Sequence, residues 1–155
     1  MRPTQRRFFL KKSAFIALSG LGGFFGMHSG HAARTGNYFS NRTFSESLQT
    51  IFNGQALIDS SEITAVLPQV AENGAVIPIS ISSELDNIRR IFILVEKNPT
   101  KLAAEITLSP NVPVYLTARI KMAESCDVWV VADQNGQLLC CRRWVKVVQG
   151  GCGTG

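Results

Sequence analysis

The sequence predicts a mainly β protein, an immunoglobulin-like antiparallel β-sandwich of about seven strands with a short N-terminal helix and a flexible C-terminal tail. Three observations carry this. From about Glu62 onward apolar residues recur at period two, the signature of strands with one buried face. Turn formers punctuate that pattern at Pro68, Asn98-Pro99 and Asn135-Gly136. The chain has 155 residues and 45% hydrophobic content, enough for one packed domain and too little for two ordinary ones.

Each element has a local reason. Thr43-Phe44-Ser45-Glu46 fits a helix N-cap followed by an acid three residues later. Phe44, Leu48, Ile51 and Phe52 then recur at helical spacing, predicting a helix over Phe44–Phe52 that Gly54 ends. Strands are expected over Glu62–Leu67, Val76–Ile81, Ile88–Val95, Ala104–Leu108, Val112–Ile120, Val128–Ala132 and Leu138–Val148. Pro78 marks an edge or a bulge, because proline cannot donate to a ladder. Asn135-Gly136 is a type I′ hairpin signal. With that turn, Cys126 faces Val145, while Cys140 and Cys141 face Val131 and Val130. No disulfide follows from such a register. Cys140 and Cys141 are adjacent and point to opposite faces, so they neither pair with each other nor share a metal. These three cysteines read as small buried hydrophobes.

Charge narrows the function. The net charge is +5, from 16 basic and 11 acidic residues. Five of the basic residues, Arg2, Arg6, Arg7, Lys11 and Lys12, lie in residues 1–32, which contain no acid. The remaining chain balances 11 basic against 11 acidic residues and has no electrostatic pull toward nucleic acid.

The basic start is followed by an apolar run, Ser13–Met27, that is too short and too Gly-rich to span a membrane. Gly30-His31-Ala32 resembles a small-x-small cleavage site, so residues 1–32 read as a signal peptide and the mature protein is expected off the membrane. Arg6-Arg7-Phe8-Phe9-Leu10-Lys11 matches the twin-arginine pattern R-R-x-F-L-K, with Arg6, Arg7, Phe9, Leu10 and Lys11 at its fixed positions. A folded export route and a periplasmic location are the expectation. The domain layout is then a signal over 1–32, a sandwich over 33–149 and a tail over 150–155.

The tail is where composition changes. Gly150, Gly151, Gly153 and Gly155 surround Cys152 and Thr154. Glycine gives backbone freedom and no side-chain bulk. Six extended residues reach about 20 Å. The product is one thiol on a slender tether. No His, Lys or Arg lies within five residues of Cys152 to lower its pKa. A frayed end with an incidental cysteine, and an interchain disulfide, are the bland alternatives.

The ending Gly150-Gly151-Cys152-Gly153 is similar to the C-terminal GGCGG of SoxY, the sulfur-carrier subunit of the bacterial Sox thiosulfate-oxidation system. Leu67-Pro68-Gln69-Val70-Ala71-Glu72-Asn73-Gly74 followed by Val76-Ile77-Pro78-Ile79-Ser80-Ile81 resembles that family's P-x-I-A-E-N-G … V-P-V-x-V segment. Glu96-Lys97-Asn98-Pro99 falls where the family has a similar turn, and the likeness runs from about Phe44 to Gly155. Thr154 lengthens the usual all-glycine tip. The resemblance implies a carrier and not an enzyme, without cofactor or metal, bearing its substrate covalently on the thiol at Cys152. It implies a heterodimer with SoxZ and transient visits to SoxAX, SoxB and, where present, SoxCD. SoxAX would join thiosulfate oxidatively to the thiol, SoxB would hydrolyse sulfate from the adduct, and SoxCD would oxidise the remaining sulfur.

Other chemistries are weakly supported. His28 and His31 both fall within or beside the signal, so a copper or zinc site or a Ser-His-Asp triad lacks its histidine. Trp129 and Trp144 share one face of the last hairpin near Arg142, as core or interface aromatics. Arg89-Arg90 and Arg142-Arg143 read as solvated or bulged stretches rather than anion sites. The rivals are a structural or interaction sandwich linked through its tail cysteine and a periplasmic redox or metal-handling protein using several cysteines.

Overall fold

The computed structural model describes residues 42–109 and 112–149. The expected signal peptide and the tail lie outside these residues.

Helix α1 spans Phe44–Phe52. Its start is the predicted capping box: the Thr43 hydroxyl accepts from the Glu46 amide at 3.3 Å, and the Glu46 carboxylate accepts from the Thr43 amide at 2.9 Å. It stops at Asn53, which takes a left-handed conformation (φ 52°) and donates its backbone N–H to the Gln49 carbonyl. The apolar stripe is laid on a sheet. Phe52 meets Phe92 edge-on at 5.1 Å, and Phe44, Leu48 and Ile51 pack around Leu94, Leu102, Val131, Leu138 and Cys140.

The strands are β1 (Leu57–Asp59), β2 (Ile63–Val66), β3 (Val70–Asn73), β4 (Ile77–Ser83), β5 (Ile88–Val95), β6 (Leu102–Thr107), β7 (Val114–Ile120), β8 (Cys126–Gln134) and β9 (Gln137–Gln149). One sheet runs β1-β9-β8-β5-β6, with β3 added beside the second half of β9, and the facing sheet runs β2-β4-β7. The main core lies between them. Ile63, Ile77, Ile79 and Ile81 from the small sheet meet Ile91, Ile93, Val128, Val130 and Val145 from the large one. Strand β5 is buried on both faces, because its outer face carries α1. That is why Ile88–Val95 shows a nearly continuous apolar run.

The predicted mainly β sandwich is present, with nine strands among the described residues against about seven expected, and its pairings are antiparallel except that β1 and β3 each pair parallel to β9. Both are three or four residues long, and β1 has no buried residue while β3 has only Ala71. Neither is long enough to show a period. Pro78 lies in the middle strand of its sheet, not an edge strand. It is opposite Arg119 of β7, while β2 on the other side stops with Val66 at Ser80. The proline is therefore placed where one flank has no ladder to interrupt.

The last hairpin matches its predicted register: Cys126 pairs with Val145, Val130 with Cys141 and Val131 with Cys140. Its turn residues Asn135 and Gly136 have φ of 52° and 87°, as a type I′ turn requires. The neighbouring buried acid, Asp133, accepts from Arg90 at 2.8 Å and from the Gly136 amide at 2.9 Å. Arg90 is thus an ion-pair partner and not a freely solvated opening of β5.

Asn98, in the turn after β5, is buried and holds two loops together. Its amide donates to the Lys121 carbonyl at 2.7 Å, and its side-chain oxygen accepts from the Ala123 amide at 2.8 Å. Asn98→Ala leaves both backbone groups unsatisfied, an expected cost of about 2–4 kcal/mol from two buried orphans. Urea unfolding checks this; a midpoint unchanged from wild type would show that water replaces the side chain at no cost.

Candidate functional site

Strand β9 delivers the chain to the tail. It is the longest strand, at 13 residues, and its end is held on both sides. On one flank β3 runs parallel to it, with Lys146 donating to the Gln69 carbonyl at 2.9 Å and Gly74 donating to the Gln149 carbonyl at 2.7 Å. On the other flank the Ser125 hydroxyl accepts from the Val147 amide at 2.8 Å and donates to the Val147 carbonyl at 3.3 Å. The backbone is thus fixed to Gln149, three residues before Cys152. Cys152, Gly150, Gly151, Gly153, Thr154 and Gly155 lie outside the described residues, as do Arg6, Arg7, Phe9, Leu10 and Lys11.

The ground beside that root is apolar and open. Trp144 and Val148 lie on the outer face of β9, with Lys146 between them, and Val70 stands opposite Lys146 on β3. Val70, Trp144 and Val148 are each more than half exposed. Trp129 and Trp144 do share the predicted face, being opposite Arg142 and Asp127. Only Trp129 is under the helix, 5.3 Å from the Phe44 ring, with the Arg142 guanidinium 4.9 Å over its own ring. Arg142 also pairs with Asp59 at 3.0 Å. Arg143 donates to the Ala65 carbonyl of β2 at 3.2 Å, tying the two sheets together. The Arg142-Arg143 pair is therefore built into the fold, and not a plain solvated stretch.

The other cysteines are structural. Cys126, Cys140 and Cys141 are buried free thiols, at 0%, 1% and 7% exposure. Burial pushes the Cys126 and Cys141 thiols up. Burial and the hydrogen bond to Asp59 push Cys140 up to about 11. A thiol held neutral is a poor nucleophile and a poor metal ligand. Among the described residues no cluster of three or more His, Cys, Asp or Glu side chains could hold a metal. In the folded protein at pH 8, these three cysteines should resist a small alkylating reagent and react once denatured. Prompt labelling of any one in the native state, read by peptide mass, would contradict this.

Sequence reasoning found the hairpin, the cysteines and Trp144, but missed Val70. Its place beside the tail root depends on a parallel pairing across the sheet that no local pattern announces.

Two facing sheets, a helix on the outer face and a last strand leading to a Gly-flanked cysteine define a small immunoglobulin-like sandwich protein with a C-terminal thiol. Residues 48–152 match the family described as sulfur oxidation protein SoxY, a match that includes Cys152. The chain belongs to the SoxY family. Among solved structures it is similar to the sulfur carrier protein SoxY from Chlorobium limicola f thiosulfatophilum, at 26% identity and a TM-score of 0.63, over 70% of this chain and 95% of that one. A superoxide reductase (neelaredoxin) from Ignicoccus hospitalis also aligns, at 12% identity and a TM-score of 0.45, over 55% of this chain and 79% of that one. No curated protein matches the sequence.

Proposed function

We propose that this protein is a periplasmic carrier of sulfur-compound oxidation that holds its substrate covalently on Cys152 and is not itself an enzyme. The observation that supports this most is the distribution of thiols. Three of the four cysteines are locked in the sandwich with raised pKa values, and the fourth follows a strand end that is held from both flanks. A firm root and a Gly-rich extension suit a thiol that must be presented to other proteins. Cys152 is three residues past Gln149, a reach of about 10 Å from the fixed strand end if extended.

The chemistry suits the task. Sulfur exchanges through thiolate attack, and a cysteine is the side chain that offers it. Joining a thiosulfate sulfur to the thiol forms one S–S bond and releases a proton and two electrons. The electrons leave to a haem partner of the SoxAX kind. Hydrolysis of the adduct by a SoxB-type enzyme releases sulfate and leaves a persulfide on Cys152, which a SoxCD-type enzyme would oxidise further. No basic residue lies within five positions of Cys152, so its activation falls to each partner's active site. A constant SoxZ-type subunit, carrying no signal of its own, would be exported with the folded chain.

Mass analysis of the Cys152 peptide tests the reading. Protein isolated from cells oxidising thiosulfate should carry sulfur-containing adducts at this position that a thiol reductant removes. A bare thiol under those conditions would overturn the carrier role. A stable tail-to-tail disulfide dimer would instead support an interaction protein.

A further inference from the structure

A cavity of about 370 Å³ opens between α1 and strands β1, β8 and β9. That volume is at the low end of the range for small-molecule sites, room for a compact ligand. Its helix wall carries Ser45, Leu48 and Gln49, and its sheet wall carries Leu57, Trp129 and Arg142. Two observations set it apart from a packing gap. The Trp129 indole N–H is buried without a hydrogen-bond partner, the sole such side-chain group among the described residues. A buried donor left unpaired is rare in folded proteins and calls for an acceptor. Beside it, the Arg142 guanidinium lies 4.9 Å over the indole ring. Among the described residues its side chain has one acceptor, Asp59 at 3.0 Å, and so keeps most of its five N–H donors. The Arg142 and Asp59 side chains are 48% and 70% exposed, an ion pair that solvent screens and that a competing anion can open.

We propose that this cavity binds a small organic monoanion, a carboxylate or sulfonate on a compact apolar body. The acid group pairs with the Arg142 guanidinium, whose planar fork matches two oxygens side by side. One of those oxygens accepts from the Trp129 N–H, so the orphan donor gains its partner as the ligand enters. The apolar body rests against Leu48 and Leu57, which the fold leaves only partly buried. Charge fixes the class. Arg142 repels a cation, and a neutral ligand forgoes the charge-assisted hydrogen bond. An inorganic dianion such as thiosulfate gains nothing from the leucines and brings two charges beside Asp59. The site is separate from the carrier thiol. Arg142 precedes Gln149 by seven residues, about 23 Å of strand, whereas Cys152 reaches about 10 Å beyond Gln149. Binding here is reversible, forms no covalent bond and does not rest on the carrier reading.

The test uses exported protein carrying Cys152→Ser and Trp144→Phe, which leaves Trp129 as the single tryptophan. Benzenesulfonate and benzoate are the probes. Each should change Trp129 emission saturably, and calorimetry should give one site per chain. Thiosulfate is an anion without the body, and benzyl alcohol a body without the charge; both should bind roughly tenfold more weakly or worse. Arg142→Gln should weaken benzenesulfonate binding about tenfold or more, and Arg142→Lys should recover only part of the loss. Asp59→Asn should tighten it about threefold or more, because the carboxylate no longer competes for the guanidinium. Trp129→Phe, read by calorimetry, keeps a ring and removes the N–H, and should weaken binding about fivefold. Asp59 and Arg142 are exposed enough that their variants should fold, which the urea midpoint checks. No saturable response to either probe, benzyl alcohol binding as tightly as benzenesulfonate, or looser binding in Asp59→Asn protein would overturn the proposal. Thiosulfate binding more tightly than benzenesulfonate would also overturn it, by giving the cavity to an inorganic anion.

Discussion

Cys152→Ser protein is expected to fold, to bind its constant subunit and to support no thiosulfate-dependent turnover. The hydroxyl keeps nearly the size of the thiol but forms no S–S bond under these conditions, so no adduct forms and no electrons are released. The loss should be complete, unlike the partial loss when a residue merely positions a substrate. Stability should move by less than about 0.5 kcal/mol, because the position follows the last core strand in sequence and the change adds no bulk. The matched controls are Cys126→Ala, Cys140→Ala and Cys141→Ala. Each sits at 7% exposure or less, so each should lower the unfolding midpoint while leaving turnover per folded molecule intact. Full activity in Cys152→Ser protein, or loss of activity in a folded variant of a buried cysteine, would reverse the assignment of roles.

The packing role of Cys126, Cys140 and Cys141 was legible in the sequence because it rests on local features. The Asn135-Gly136 turn sets the hairpin register, the register sets the neighbours of Cys126, Cys140 and Cys141, and strand alternation puts them inside. The capping box at Thr43 and Glu46 announced the helix for the same reason. Strands β1 and β3 were hidden because their pairing with β9 spans more than 70 residues of sequence and their own stretches are three and four residues long. Hidden with them was the double anchorage of β9 at the tail root. The roles of Arg90, Arg142 and Arg143 were likewise out of reach, since each depends on a partner from another strand: Asp133, Asp59 and the Ala65 carbonyl. A basic dipeptide on a strand says only that some acceptor or solvent must receive it.

The position of the open edges bears on how the carrier assembles. Pro78 suggests an edge from sequence, but β4 is flanked by β2 and β7. Among the described residues β6 and β7 each end a sheet on one side, while the apolar ground at Val70, Trp144 and Val148 lies on β3 and β9. These surfaces are on opposite sides of the sandwich. A carrier needs both a lasting partner and brief contacts with several enzymes, and separated surfaces let the two kinds of contact coexist.

Replacing Arg6-Arg7 with Lys-Lys should trap the protein in the cytoplasm. The substitution keeps the positive charge of the segment and removes only the planar guanidinium groups, which make forked hydrogen bonds that an ammonium cannot. A signal read by net charge alone would tolerate the change. A signal read as a twin-arginine pattern would not, and the periplasmic fraction should fall to background. The same cells should retain any SoxZ-type subunit that lacks its own signal, because that subunit can cross only in complex with this chain. Subcellular fractionation with antibodies to both proteins reads the two effects together. Unimpaired export of both would show that residues 1–32 act as a general secretory signal. Retention of this chain with continued export of the subunit would keep the signal assignment and overturn export as a preassembled pair.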